Sequence, residues 1–190
     1  MAKNNQPLFG SSIVPIQLVF FMWLSFSIEY FYGIDLGVFG ILPRTLHGLL
    51  GIIFAPMIHG SFAHLVSNTF PLLFLGMLLY FFYHRIGGIV FFNCYFITNF
   101  LVWLLSPRIS YHIGASGLIY GLGSFLILFG LLRQDFLSLV ISLIIIGLYG
   151  SAFLSGVFPS DPRISWEAHL FGALTGAVTA FILKDLKRVR

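Results

Sequence analysis

Six apolar stretches, each about the length of a membrane crossing and separated by short polar breaks, leave this chain few ways to fold. A hydrocarbon core about 30 Å thick is crossed by about 20 helical residues. The stretches 13–32, 63–83, 88–105, 113–132, 136–156 and 165–183 fit that ruler. In lipid every backbone N–H and C=O must find a partner inside the protein, so each stretch is expected to be helical. Only 8% of the residues are charged and 58% are hydrophobic, against about a quarter charged in soluble domains. That few charges cannot cover a soluble surface. The expectation is an all-α membrane protein, one bundle of six transmembrane helices in a single domain of 190 residues.

The breaks carry further information. Residues 34–60 hold Asp35, Gly37, Gly40, Pro43, Arg44, His47 and Pro56 in a moderately apolar background. Such a segment is too broken for a straight crossing and too apolar for a solvated loop. It reads as an interfacial or partly submerged loop, with a kinked membrane helix as the alternative. Pro71 lies inside the second stretch, where a membrane helix tolerates it with a kink. The first stretch is longer than a signal-peptide core and no Ala-x-Ala site follows it, so a retained helix is expected.

Placing the N-terminus inside puts Lys3, Arg85, Arg133, Lys184, Lys187, Arg188 and Arg190 on the inner side and Arg44, Arg108 and Arg163 on the outer, which favours both termini cytoplasmic. The net charge of +4 does not point to nucleic acid, because four of the ten basic residues form a membrane-proximal tail. The single cysteine, Cys94, rules out an intramolecular disulfide and reads as a packing residue.

With this topology the second, fourth and sixth helices all enter from the outer side, and each carries polar residues near its head. His64 and Asn68 open the second, Ser116 the fourth and His169 the sixth. Ionisable groups inside a membrane are rare and default to functional hypotheses. His64 and Asn68 are four apart and share a face, as do Ser116 and Tyr120. Gly172 and Gly176 lie on the stripe of His169, and Gly117 and Gly121 form a small-residue surface on the fourth helix. Glycines at such spacing let helices approach closely in lipid, which would bring His169 within reach of Ser116.

These residue types suit nucleophilic catalysis. A serine hydroxyl is a weak nucleophile until a neighbouring base takes its proton, and His169 can be that base. A tetrahedral oxyanion needs donors in a water-poor site. The Ser116 backbone N–H, His64 and the Asn68 amide are candidates, aided by the positive end of the helix dipole.

The plainer alternatives are a glycine–serine packing motif, a helix-bridging histidine and an ordinary core tyrosine at Tyr120. A metal site is disfavoured, because His59 and His64 are five apart and no cysteine and few carboxylates could complete it. No cofactor is expected. His47, His84 and His112 read as interfacial and receive no role.

Three motifs now carry a resemblance. The chain resembles the rhomboid family of intramembrane serine proteases, through His59-Gly-Ser-Phe-Ala-His64-Leu-Val-Ser-Asn68, Gly114-Ala-Ser116-Gly117 with Tyr120, and Ala168-His169-Leu-Phe-Gly172-Ala-Leu-Thr-Gly176. The resemblance covers roughly residues 13–184. It implies a six-helix protease domain there, a Ser116–His169 dyad, His64 and Asn68 as oxyanion donors, and Tyr120 packed on the His169 ring. It also implies transmembrane polypeptide substrates and a multi-pass location in a bacterial-type inner membrane. Residues 1–12 would be a short cytoplasmic segment and 185–190 a basic cytoplasmic tail. The first outer loop departs from the family: many bacterial members carry Trp-Arg there, while this chain has Leu42-Pro43-Arg44. A catalytically inactive relative that binds membrane proteins, or a small transporter, are the competing readings.

A Ser-His-Asp triad is not expected. Asp135 and Asp185 fall on the inner side. Glu167 is two residues before His169, about 200° round a helix of 3.6 residues per turn, and so faces away from the site. Nothing aims Glu29, Asp35 or Asp161 at it.

Overall fold

The computed structural model describes residues 8–133, 135–159 and 164–186. Lys3, Asp161, Arg163, Lys187, Arg188 and Arg190, with most of the N-terminal segment and the basic tail, lie outside the described residues. Among the described residues six helices are long and apolar enough to cross a membrane. They are α1 (Leu8–Tyr32), α2 (Phe62–Phe82), α3 (His84–Leu105), α4 (Ser116–Arg133), α5 (Phe136–Gly156) and α6 (Trp166–Leu183).

Local chemistry sets several of the boundaries. Ser61 caps α2 by accepting from His64 N–H at 3.1 Å, Asp135 caps α5 at Ser138 N–H, and Ser165 caps α6 at Ala168 N–H. Each cap satisfies a backbone donor that the first turn of a helix leaves open. Three boundaries differ from the sequence expectation by three residues or more, the first being α1, which begins five residues early at Leu8. α3 begins four residues early, directly after Tyr83, so His84 and Arg85 belong to its first turn. α4 begins three residues late, because Ile113–Ala115 form a non-helical turn with Gly114 at φ +103°. α3 is also not a uniform α-helix, since Asn93–Ile97 form a π turn.

The packing centres on α4. A Cβ added to Gly172 would lie 2.1 Å from the Gly117 carbonyl oxygen, and one on Gly176 would lie 2.0 Å from that of Gly121. Backbone therefore touches backbone along the α4–α6 crossing, as the glycine spacing predicts. Cys94 packs against Gly121 at the same crossing and is fully buried. α1 packs on α2, with Gly76 against Pro15 and the Trp23 indole donating to Thr69 Oγ1 at 3.1 Å.

Residues 34–60 contain no crossing helix. They form short 3-10 turns and one helical turn, Gly51–Phe54, docked on the C-terminal half of α3. Tyr95, Asn99 and Trp103 of α3, each four residues apart, donate to the carbonyls of Ile53, Ile52 and Thr45. Arg44 completes the attachment. Its N–H donates to Trp103 O at 2.9 Å and its guanidinium to Ser106 O at 2.6 Å. The loop then pairs Ile41 with His112 through two 2.9 Å backbone hydrogen bonds.

Candidate active site

The turn before α4 is built around Gly114. Its left-handed φ of +103° is one that residues with a Cβ avoid, and its N–H donates to Ala55 O at 2.8 Å. A Cβ here would also strike the His64 ring, 2.7 Å from both Cε1 and Nε2. Two independent constraints thus demand glycine two residues before Ser116, and the second shows that the Nε2 edge of His64 reaches this turn.

Ser116, His169, His64 and Asn68 line one cavity of about 860 Å³ between the N-terminal ends of α2, α4 and α6 and the C-terminal end of α5. The residues singled out on three separate helices are thereby brought together. Asn68 is buried, and its Nδ2 donates to His64 O at 2.8 Å. Because a carbonyl can only accept, that bond fixes which way the amide faces and leaves a second N–H on Nδ2. His59 is only 1% exposed, and its ring meets that of His64 edge to face at 4.9 Å. Burial, reinforced by His64, lowers its pKa to about 3 against a smaller raising effect of the Met57 carbonyl, so His59 is neutral at physiological pH.

His169 is held on three sides. Its helix is fixed by the glycine crossing, and its ring stacks on Tyr120 at 4.0 Å between centroids with a 4° tilt. Its Nδ1 lies 2.9 Å from Gly156 O, an obligate acceptor, so Nδ1 carries the hydrogen. That leaves Nε2 as the basic nitrogen. The Tyr120 hydroxyl donates in turn to Ala152 O at 2.8 Å. Both rings are therefore anchored on carbonyls at the C-terminal end of α5. No hydrogen bond joins Ser116 to His169 here.

A model of the rhomboid domain matches residues 46–186. Proteins described as uncharacterized from Mycobacterium bovis and Mycobacterium tuberculosis are each 34% identical over 188 residues, covering 91% of this chain and 75% of theirs. One from Mycobacterium leprae is 34% identical over 156 residues, covering 74% of this chain and 58% of its own. The chain belongs to the rhomboid family.

This rhomboid protein contains features around the cavity that its sequence did not reveal. Gly156 is one, since a backbone carbonyl leaves no mark in a sequence. A Cβ there would lie 1.7 Å from the Tyr120 hydroxyl.

Glu167 is another. It is fully buried and forms a two-pronged ion pair with Arg108, a residue that lines the cavity, Nε–Oε1 at 2.6 Å and Nη2–Oε2 at 2.7 Å. A buried carboxylate requires such a partner.

His112 corrects the interfacial reading given to it: it is buried, and burial lowers its pKa. His47 and His84 are exposed.

Proposed function

We propose that this protein is an intramembrane serine endopeptidase that cuts transmembrane polypeptides in or beside their membrane span. The observation that carries the reading is the anchoring of His169. With Nδ1–H donated to Gly156 O and the ring stacked on Tyr120, only Nε2 is free to act as a base, and it shares a cavity with Ser116.

The steps follow from that tautomer. Nε2 takes the Ser116 hydroxyl proton as Oγ attacks the scissile carbonyl carbon, and the carbonyl electron pair moves onto oxygen. The Ser116 N–H, the free Asn68 N–H and His64 stabilise that oxyanion. As the tetrahedral species collapses, the C–N bond breaks and His169 gives its proton to the leaving amine. Water then attacks the acyl-enzyme with Nε2 as base again, releasing the acid and restoring Ser116. The Gly156 carbonyl orients His169 as the aspartate does in a triad, without a charge.

In this reading residues 13–184 are the protease domain, the termini are cytoplasmic and the protein resides in a bacterial-type inner membrane. A relative that binds membrane polypeptides without cutting them would share the cavity, and the missing Ser116–His169 hydrogen bond is compatible with it. A serine-directed fluorophosphonate separates the two. It should modify Ser116 once in detergent, fail with Ser116→Ala and react far more slowly with His169→Ala. A wild-type protein that does not react is the binding protein instead.

A further inference from the structure

The α4–α6 glycines set how closely the two helices approach, and Ser124 Oγ, donating to Ala173 O at 2.8 Å, holds their register within the crossing, but the turn ahead of α4 must still be tied to the head of α6. We propose that His112 makes that tie, as a positioning residue linking the turn that carries Ser116 to the helix that carries His169. The inference rests on the serine peptidase reading above.

His112 is 4% exposed and bonded on both ring nitrogens to serines of different elements. Nε2 lies 3.1 Å from Oγ of Ser106, at the end of α3, and Nδ1 lies 2.7 Å from Oγ of Ser165, the cap of α6. Its backbone is fixed by the pairing with Ile41, and Gly114, two residues on, by Ala55. Ser165 in turn accepts the His169 backbone N–H on its carbonyl at 3.3 Å.

One imidazole thus stands four residues from the nucleophile and one hydrogen bond from a residue that holds the base. The ionic groups beside it are Arg108 and Glu167, whose pair forms a second clasp between the same two segments. His112 lines the cavity, but its bonding to two serines identifies it as a strut rather than a reacting group.

The test uses the purified full chain with His112→Phe, His112→Asn and His112→Gln. Phenylalanine fills the space without either bond. Asparagine places a polar atom near Nδ1, toward Ser165, and glutamine near Nε2, toward Ser106. Misplacing a catalytic group by about 1 Å can cost about 10²-fold. The fluorophosphonate reaction rate of H112F should accordingly fall by about 10–100-fold at a temperature where it remains folded. On a single-span substrate kcat should fall while KM holds. H112N should stay closer to wild type than H112Q, a difference that reads the Ser165 link even if H112F does not fold.

Wild-type reactivity in H112F, equal loss in H112N and H112Q, or a raised KM at constant kcat would each overturn the assignment while leaving the peptidase reading intact. A wild-type protein that does not react with the probe removes both.

Discussion

Replacing Gly172 with alanine is the sharpest test of how the backbone assembles the site. The new Cβ would lie 2.1 Å from Gly117 O and 2.9 Å from its carbonyl carbon, where ordinary contact starts at 3.4 Å. Both atoms belong to backbone and cannot swing aside, so α4 and α6 must part by about 1.3 Å at this level. Overpacking of this kind typically costs about 1–3 kcal/mol of stability, which a bundle of this size survives. The effect on chemistry is of similar size in free energy but is read directly in the rate. Ser116 and His169 ride on the two helices being pushed apart, and about 1 Å of misplacement can cost about 10²-fold in rate, or about 2.7 kcal/mol of activation free energy.

The assay is the fluorophosphonate reaction rate of purified Gly172→Ala, with its thermal midpoint recorded alongside. Gly147→Ala is the control, because nothing lies within 4 Å of its Cβ position. A wild-type rate and midpoint in Gly172→Ala, or an equal loss in Gly147→Ala, would refute the claim that the glycine crossing sets the dyad.

Other outcomes follow from the same geometry. Asn68→Ala and His64→Ala should each lower kcat by about 10²–10³-fold with little change in thermal midpoint; full activity in both would remove them from the oxyanion site. Arg108→Ala leaves the Glu167 carboxylate buried without its ion-pair partner and should destabilise the fold by up to about 3–5 kcal/mol, read by thermal or denaturant unfolding. Glu167→Gln should cost less, since a neutral amide can still accept from Arg108. His59 binds its proton less readily when folded, with its pKa lowered from 6.5 to about 3. The unfolded chain therefore takes up more protons between those values, and stability should fall as the pH drops from about 6.5 toward 3. His59→Phe should flatten that part of the stability profile, and an unchanged slope would show that other groups set it.

Much of this was legible in the sequence because the signals are local. Span length follows from hydropathy, and His64 with Asn68 or Gly172 with Gly176 are neighbours by helical period alone. What stayed hidden depends on long-range pairing: Arg108 meets Glu167 across 59 positions, and the Gly156 carbonyl has no side chain to announce it. Nothing distinguished His112 from His47 and His84 until the loop pairing through Ile41 was seen. The docking of residues 34–60 did leave a trace. Tyr95, Asn99 and Trp103 repeat every four residues along α3, a polar-tipped stripe whose hydrogen bonds go to that loop. Read in sequence alone, aromatic residues in an apolar helix pass as lipid contacts.

The most direct measurement of the central claim is proteolysis itself. Purified protein in liposomes should be mixed with a reporter polypeptide bearing one membrane span, and the products identified by mass spectrometry. The account predicts cleavage within or next to the span by the wild-type chain, none by Ser116→Ala, and a severe loss in His169→Ala. An intact substrate with folded wild-type protein, or cleavage that persists in Ser116→Ala, would contradict it.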